Sequence, residues 1–144
     1  MPEDLSEPYL NCHFQVEVVR EDGHLAELGP SQVSSLKARR YRRPLLFGIV
    51  FVRPKDHARI KIRRGITNDK YLFNWYQLRL TGKPAKREVR VFQYGRDYDQ
   101  PVNTWIFEEC YPVSWQGPAF HALRSGVAFE EIQLAYPTIK WAEP

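Results

Sequence analysis

The side chains that could carry chemistry in this sequence are two cysteines, four histidines, two glutamate doublets and a run of alternating cations. Cys12 and His13 are adjacent, and neighbours on an extended strand point to opposite faces, so they cannot hold one metal ion together. Glu108-Glu109 and Glu130-Glu131 fail as general acid and base pairs by the same geometry, although one carboxylate of each doublet could meet the other across a sheet. Carboxylates in solvent or at an interface are the favoured reading. Asp97 and Asp99 lie in a polar stretch, where aspartate commonly bonds the local backbone. His13, His24, His57 and His121 have no nucleophile at a meaningful spacing, and Ser114 lacks the strand-turn-helix context of a nucleophilic serine. No catalytic, metal-ligating or cofactor-binding residue is assigned, and the chain is not expected to be an enzyme.

The cations are better organised. Arg59, Lys61 and Arg63 alternate with Ala58, Ile60 and Ile62, giving a strand with one apolar and one strongly basic face, and Lys37, Arg39, Arg40, Arg42 and Arg43 form a second cluster. With a net charge of +4 and 14% aromatic residues, this pattern also fits an OB-like module binding single-stranded nucleic acid, where cations track phosphates and rings stack on bases. Against that alternative, the two glutamate doublets interrupt the positive field, and most aromatics occupy positions expected in a core. Charges that line a solvated face or pair between subunits are the simpler account.

These residues must be held by a scaffold that 144 residues can build as one domain, spanning 1–144, with residues 1–8 as a flexible N-terminal arm. Eleven prolines and eight glycines spread along a chain that is 43% hydrophobic point to many short segments separated by turns. Leu10, Cys12, Phe14, Val16 and Val18 alternate with polar residues as the first strand. A short return strand follows Glu21-Asp22-Gly23, and Gln32 to Tyr41 reads as a more polar strand. The apolar run Leu45 to Val52 lies between Pro44 and Pro54 and is too greasy to face water, so it packs on its own core or on a neighbour.

After Asn68 or Asp69, either of which can cap, Leu72, Trp75, Tyr76 and Leu80 recur at helical spacing until Gly82 and Pro84. Val89 and Val91 mark the next strand, and Tyr94 to Gln100 a polar turn. Trp105, Phe107 and Tyr111 are expected on one face of an internal strand, with Ile106 and Cys110 on the other. A closing strand begins near Val127, with a β-bulge expected at Glu130-Glu131 to bring Phe129 and Ile132 to one side. Six or so antiparallel strands around one helix result.

Two cysteines far apart support neither a disulfide framework nor a zinc site, and both are expected as buried thiols. Met1 to Pro8 carries three acids and no apolar region, and Leu45 to Val52 is far shorter than a membrane span. A soluble chain made in the cytoplasm is expected.

The string Ile60-Lys61-Ile62-Arg63-Arg64-Gly65-Ile66-Thr67, followed in order by Asn74-Trp75-Tyr76-Gln77, Trp105-Ile106-Phe107, Tyr111-Pro112-Val113, Gly117-Pro118 and Glu131-Ile132-Gln133-Leu134-Ala135-Tyr136, resembles the tail tube protein family of contractile phages and phage-tail-like injection systems. The opening Pro8-Tyr9-Leu10-Asn11-Cys12-His13-Phe14 resembles that family's first strand. The resemblance runs from Pro8 to Trp141 and implies a β-barrel or sandwich subunit with a flanking helix. Six subunits would close into a ring, and stacked rings would form the hollow inner tube that sheath contraction drives into a target. The implied partners are further copies of the chain, the sheath protein, the baseplate hub or spike, tube-terminating proteins and cargo in the lumen. A shaft subunit is favoured over a baseplate-proximal initiator or an end-of-tube paralogue.

The resemblance carries no catalytic residue and no cofactor. It implies structural roles for Arg64, Gly65, Thr67, Trp75, Tyr76, Trp105, Phe107, Pro112, Gly117 and Pro118, with Gly65 allowing a sharp exit toward the helix and Gly117-Pro118 marking the corner before the final strand. Leu45, Leu46, Phe47, Ile49, Val50 and Phe51 are expected to contact a neighbouring subunit or ring, and Arg59, Lys61 and Arg63 to face the lumen or, as the alternative, the sheath.

Overall fold

A computed structural model describes residues 8–20, 22–23, 25–29, 32–38, 45–46, 49–50, 57–83, 85–96 and 99–142. Their elements, in chain order, are β1 (Phe14–Val19), β2 (Leu25–Glu27), β3 (Gln32–Val33), β4 (Leu45–Leu46), β5 (Ile49–Val50), β6 (Ala58–Gly65), α1 (Tyr71–Leu80), β7 (Arg87–Tyr94), β8 (Pro101–Gln116), β9 (Phe129–Tyr136) and β10 (Thr138–Ala142). Every strand pairing is antiparallel.

The 16-residue β8 organises the molecule. Its first half lies between β7 and β10, and its second half pairs with β9. One half-sheet is therefore β2-β1-β7-β8-β10, and the other is β8-β9-β6-β3. Their inner faces close on one core. Val16, Val18, Val89, Val91 and Phe107 come from the first, Ile60, Ile62, Ile132, Leu134 and Tyr136 from the second, and Leu72 and Trp75 from α1.

Alternation dictates most of this. Residues Ala58 to Arg64 switch strictly between buried and exposed, so the apolar face of β6 meets the core and Arg59, Lys61 and Arg63 face outward. Val16 and Val18 of β1 and Val89 and Val91 of β7 obey the same rule. Further upstream the first-strand expectation overreaches: Leu10 and Cys12 are exposed and precede β1. The polar strand expected over Gln32 to Tyr41 is paired only at Gln32 and Val33, although Ser34 prolongs the ladder by donating from its N–H to the carbonyl of Lys61 at 2.9 Å.

β8 departs from simple alternation. Glu109 has φ 54°, and the pairing with β7 shifts register between Arg87 and Val89. The resulting bulge inverts the phase, so Phe107, Cys110 and Pro112 all point into the core while Tyr111 turns outward, not onto the face of Trp105 and Phe107. The bulge expected at Glu130-Glu131 is absent, since β9 pairs with β6 in unbroken register from Phe129 to Tyr136. Phe129 faces outward, and the inward position is taken by Glu130. A left-handed conformation costs a non-glycine residue about 1–2 kcal/mol, so exposed Glu109→Gly should raise the unfolding free energy by roughly 1 kcal/mol in a urea titration.

The helix lies where its periodicity places it, with two differences. Asp69 is not the N-cap residue, but its Oδ1 accepts the N–H of Tyr71 at 3.0 Å, which satisfies an orphan donor of the first turn. Leu80 is 61% exposed. At 3.6 residues per turn Arg79, not Leu80, lies in line with Leu72 and Trp75. Arg79 reaches across to donate to the carbonyl of Pro112 at 2.7 Å.

Candidate assembly surfaces

The segment expected to reach a neighbour, Leu45 to Phe51, folds in part as a two-stranded ribbon in which Leu45 pairs with Val50 and Leu46 with Ile49. Among the described residues this ribbon joins neither half-sheet. Phe47 and Phe51 lie outside the described residues, as do Arg39, Arg40, Arg42 and Arg43 of the basic cluster, His24 and Asp97.

Arg59, Lys61 and Arg63 all lie on the outward face of the second half-sheet. Lys61 approaches Glu131 at 3.9 Å, and the Arg63 guanidinium covers the Phe129 ring at 4.1 Å. Further along this face His57 Nδ1 lies 2.9 Å from the Tyr111 hydroxyl, and Arg79 stacks over the Tyr111 ring at 4.8 Å. Ser114 donates to Gln133 across the β8–β9 ladder at 3.2 Å.

The motif residues are structural in specific ways. Arg64 is 5% exposed and joins four segments: its Nε donates to Glu130 at 3.3 Å, its Nη1 to the Leu28 carbonyl and the Asp69 carboxylate, both at 3.3 Å, and its Nη2 to the Asp69 carbonyl at 3.4 Å. Glu130, 3% exposed, is a buried partner, not a solvated charge. The side chain of Thr67 accepts from the N–H of Asp69 at 3.1 Å, which shapes the approach to α1. Trp75 seats the helix by donating to the Ala85 carbonyl at 2.6 Å, with Tyr76 half-buried beside it. Trp105 stacks on Trp141 at 5.6 Å, and Phe107 packs edge-on to Tyr136 at 4.7 Å.

Of the two motif glycines, Gly117 is the one closely approached, since a Cβ there would sit 2.8 Å from the Trp115 ring, which would have to shift. Gly65 avoids positive φ, and a Cβ there would meet only Val127 at 3.8 Å. Pro118, like Gly117, is half-buried at the start of the segment that leads from β8 to β9.

That segment holds a surface that sequence reasoning missed. Phe120, Leu123 and Val127 are 87%, 92% and 72% exposed, although the Leu123 and Arg124 backbones are tied to His121 by hydrogen bonds. Three large apolar side chains on one exposed segment mark an interaction surface. The signal was present as apolar residues without strand or helix period between Gly117-Pro118 and β9.

The two thiols differ. Cys110 is buried, and desolvation pushes its pKa well above the ordinary thiol range, whereas Cys12 is exposed, contrary to expectation. A thiol-specific reagent should therefore modify one cysteine in the folded chain and two after unfolding. Because the folded-state pKa of Cys110 lies above its unfolded value, its contribution to stability is complete below about pH 8.5 and declines as pH rises beyond it. Among the described residues no cluster of three or more potential metal ligands occurs, and no helix is long and apolar enough to cross a membrane.

Solved structures share this fold. A chain of the sheath–tube complex of an extracellular contractile injection system, PVC, in its extended state superposes with a TM-score of 0.72 at 20% identity, covering 97% of this chain and 95% of that one. A chain of the anti-feeding prophage baseplate gives 0.72 at 18% identity, with 96% and 98% covered. A chain of the anti-feeding prophage tube-terminating cap gives 0.70 at 15% identity, with 100% and 97% covered. No curated protein matches the sequence. The family model of the T4-like virus tail tube protein gp19 matches residues 10–140, from just before β1 into β10. The helix, the Arg64 node and both half-sheets except the end of β10 fall within that match, and the chain belongs to the T4-like virus tail tube protein gp19 family.

Proposed function

We propose that this chain is a shaft subunit of an inner tube, six copies of which close into a ring, with rings stacking into the conduit of a contractile injection system or phage tail. The observation that carries the ring is the second half-sheet. Among the described residues β3 pairs only with β6, and β8 beyond Pro112 only with β9, so the four-stranded β8-β9-β6-β3 unit ends in two open edges. An open edge is a template for further pairing, and a head-to-tail contact repeated by rotation consumes every edge when the ring closes. The polar face of Arg59, Lys61 and Arg63 then lines the lumen, and the first half-sheet with α1 lies outside.

The apolar run Leu45 to Phe51 and the exposed Phe120, Leu123 and Val127 supply apolar contact to neighbouring copies. The sheath, the baseplate hub or spike, and the terminator are the further partners, cargo occupies the lumen, and the chain acts without catalysis. It is made in the cytoplasm and resides in the assembled particle. The OB-like alternative is disfavoured because Trp75, Phe107 and Tyr136 are buried in the core, and the strongly exposed rings Phe120 and Trp141 lie on the segment after β8 and on β10, not on β6 with its cations.

A second reading, a baseplate-proximal initiator or end-of-tube paralogue, is favoured by the similar fit to baseplate and cap chains. Negative-stain electron microscopy with native mass measurement separates these. Tubes built of six-membered layers support a shaft subunit, and isolated rings that do not elongate support the second reading. A chain that stays monomeric at all concentrations, with or without baseplate components, would defeat both.

A further inference from the structure

The outward face of β6 carries a groove. It has a volume of about 520 Å³ and lies between the Ser34 to Lys37 segment and Arg59 and Lys61, with Gln133 of β9 in its lining. Its walls are held rigidly. Ser34 exchanges two hydrogen bonds with the Lys61 backbone, at 2.9 Å from its N–H and 2.8 Å to its Oγ. The hydroxyl of Tyr136, a residue 1% exposed, grips the Lys37 backbone by accepting its N–H at 3.1 Å and donating to its carbonyl. Three cations, Lys37, Arg59 and Lys61, line it, and among the described residues no carboxylate does, although Glu131 approaches Lys61 at 3.9 Å. Preorganised cations around a concavity bind anions without the cost of ordering the loop.

We propose that this groove binds a carboxylate-rich polypeptide segment. Its role as a cargo contact rests on the lumen placement above, but the binding chemistry does not. Charge complementarity selects an anion, and the neighbouring rings disfavour nucleic acid. Phe129 lies beneath Arg63, and Tyr111 is stacked by Arg79 with its hydroxyl bonded to His57, so each ring beside the groove already has a cation of the protein on one face. Arginine and lysine pair well with carboxylates.

The test uses the full chain and follows the fluorescence anisotropy of an oligoglutamate peptide and, separately, an oligothymidylate of equal charge. Lys37→Glu with Arg59→Glu should weaken peptide binding at least about tenfold, because like charges then face each other. Lys86→Glu with Arg96→Glu makes the same change in net charge at exposed positions outside the groove and should weaken binding less than about threefold. Equal losses from the two pairs would reduce the groove to a diffuse field and overturn the proposal, as would tighter binding of the oligothymidylate. If the doubly reversed chain fails to fold, Lys37→Gln with Arg59→Gln is read instead, with the same expectation of selective loss. Electron microscopy of the same samples keeps the two ideas apart: tubes that ignore the peptide overturn the groove alone, and peptide binding by a chain that never assembles overturns the tube alone.

Discussion

Glu130→Ala is expected to lower the unfolding free energy by about 3–5 kcal/mol, the usual consequence of removing one partner of a buried ion pair. The loss comes less from the missing attraction than from what remains. Arg64 would stay 5% exposed, with its charge facing only the Leu28 carbonyl and Asp69, whose side chain is 54% exposed. Because Arg64 also joins β6 to the entry of α1, loosening should spread to the helix approach, visible as faster amide exchange around Thr67 to Tyr71. The double replacement Arg64→Met with Glu130→Leu should recover most of the loss, since apolar substitutes of similar volume often match or exceed a buried pair. Urea unfolding of the unassembled chain measures all three variants. A loss below about 1 kcal/mol for Glu130→Ala would mean that the pair behaves as a surface salt bridge.

The second large effect concerns assembly. Phe120→Asp with Leu123→Asp should abolish tube growth while leaving the subunit intact. In the isolated chain these side chains are 87% and 92% exposed and contribute little to folding, so stability should change by less than about 0.5 kcal/mol. Each would contribute roughly 1.5–3 kcal/mol once covered by a neighbouring copy, and closed rings multiply that contribution sixfold per layer. Phe47→Asp with Ile49→Asp, in the apolar run Leu45 to Val52, should likewise abolish tubes and leave the monomer folded. Circular dichroism and thermal unfolding would report the fold, and electron microscopy the tubes. Normal tubes from the Phe120 and Leu123 variant would assign that segment to a contact outside the tube, such as the sheath. Unfolded protein would contradict the exposure on which the argument stands.

Legibility in the sequence followed the range of the forces involved. The alternation of Ala58, Ile60 and Ile62 with Arg59, Lys61 and Arg63 was readable because side-chain direction along a strand is local, and the valines of β1 and β7 were readable for the same reason. The helix was readable from Leu72 and Trp75, but its last turn was not, because Leu80 is left in solvent while the arm of Arg79, itself exposed, is drawn to the carbonyl of Pro112, 33 residues away. The misplaced bulge came from treating Phe129 as core and Glu130 as solvent. A glutamate enters a core only where a distant arginine waits for it, and periodicity carries no record of that partner.

By itself the sequence determined an antiparallel β subunit with one helix, the two faces of β6 and the order of the motifs that place it in its family. These depend on period, turn chemistry and a residue pattern carried along the chain. Only the tertiary structure decided that Glu130 lies in the core beside Arg64, 66 residues before it, that Glu109 inverts the phase of β8, and that Lys37 is gripped by Tyr136 from 99 residues away. Burial of charge and the aim of a backbone are settled by what packs against them, and those neighbours meet only when the two half-sheets close.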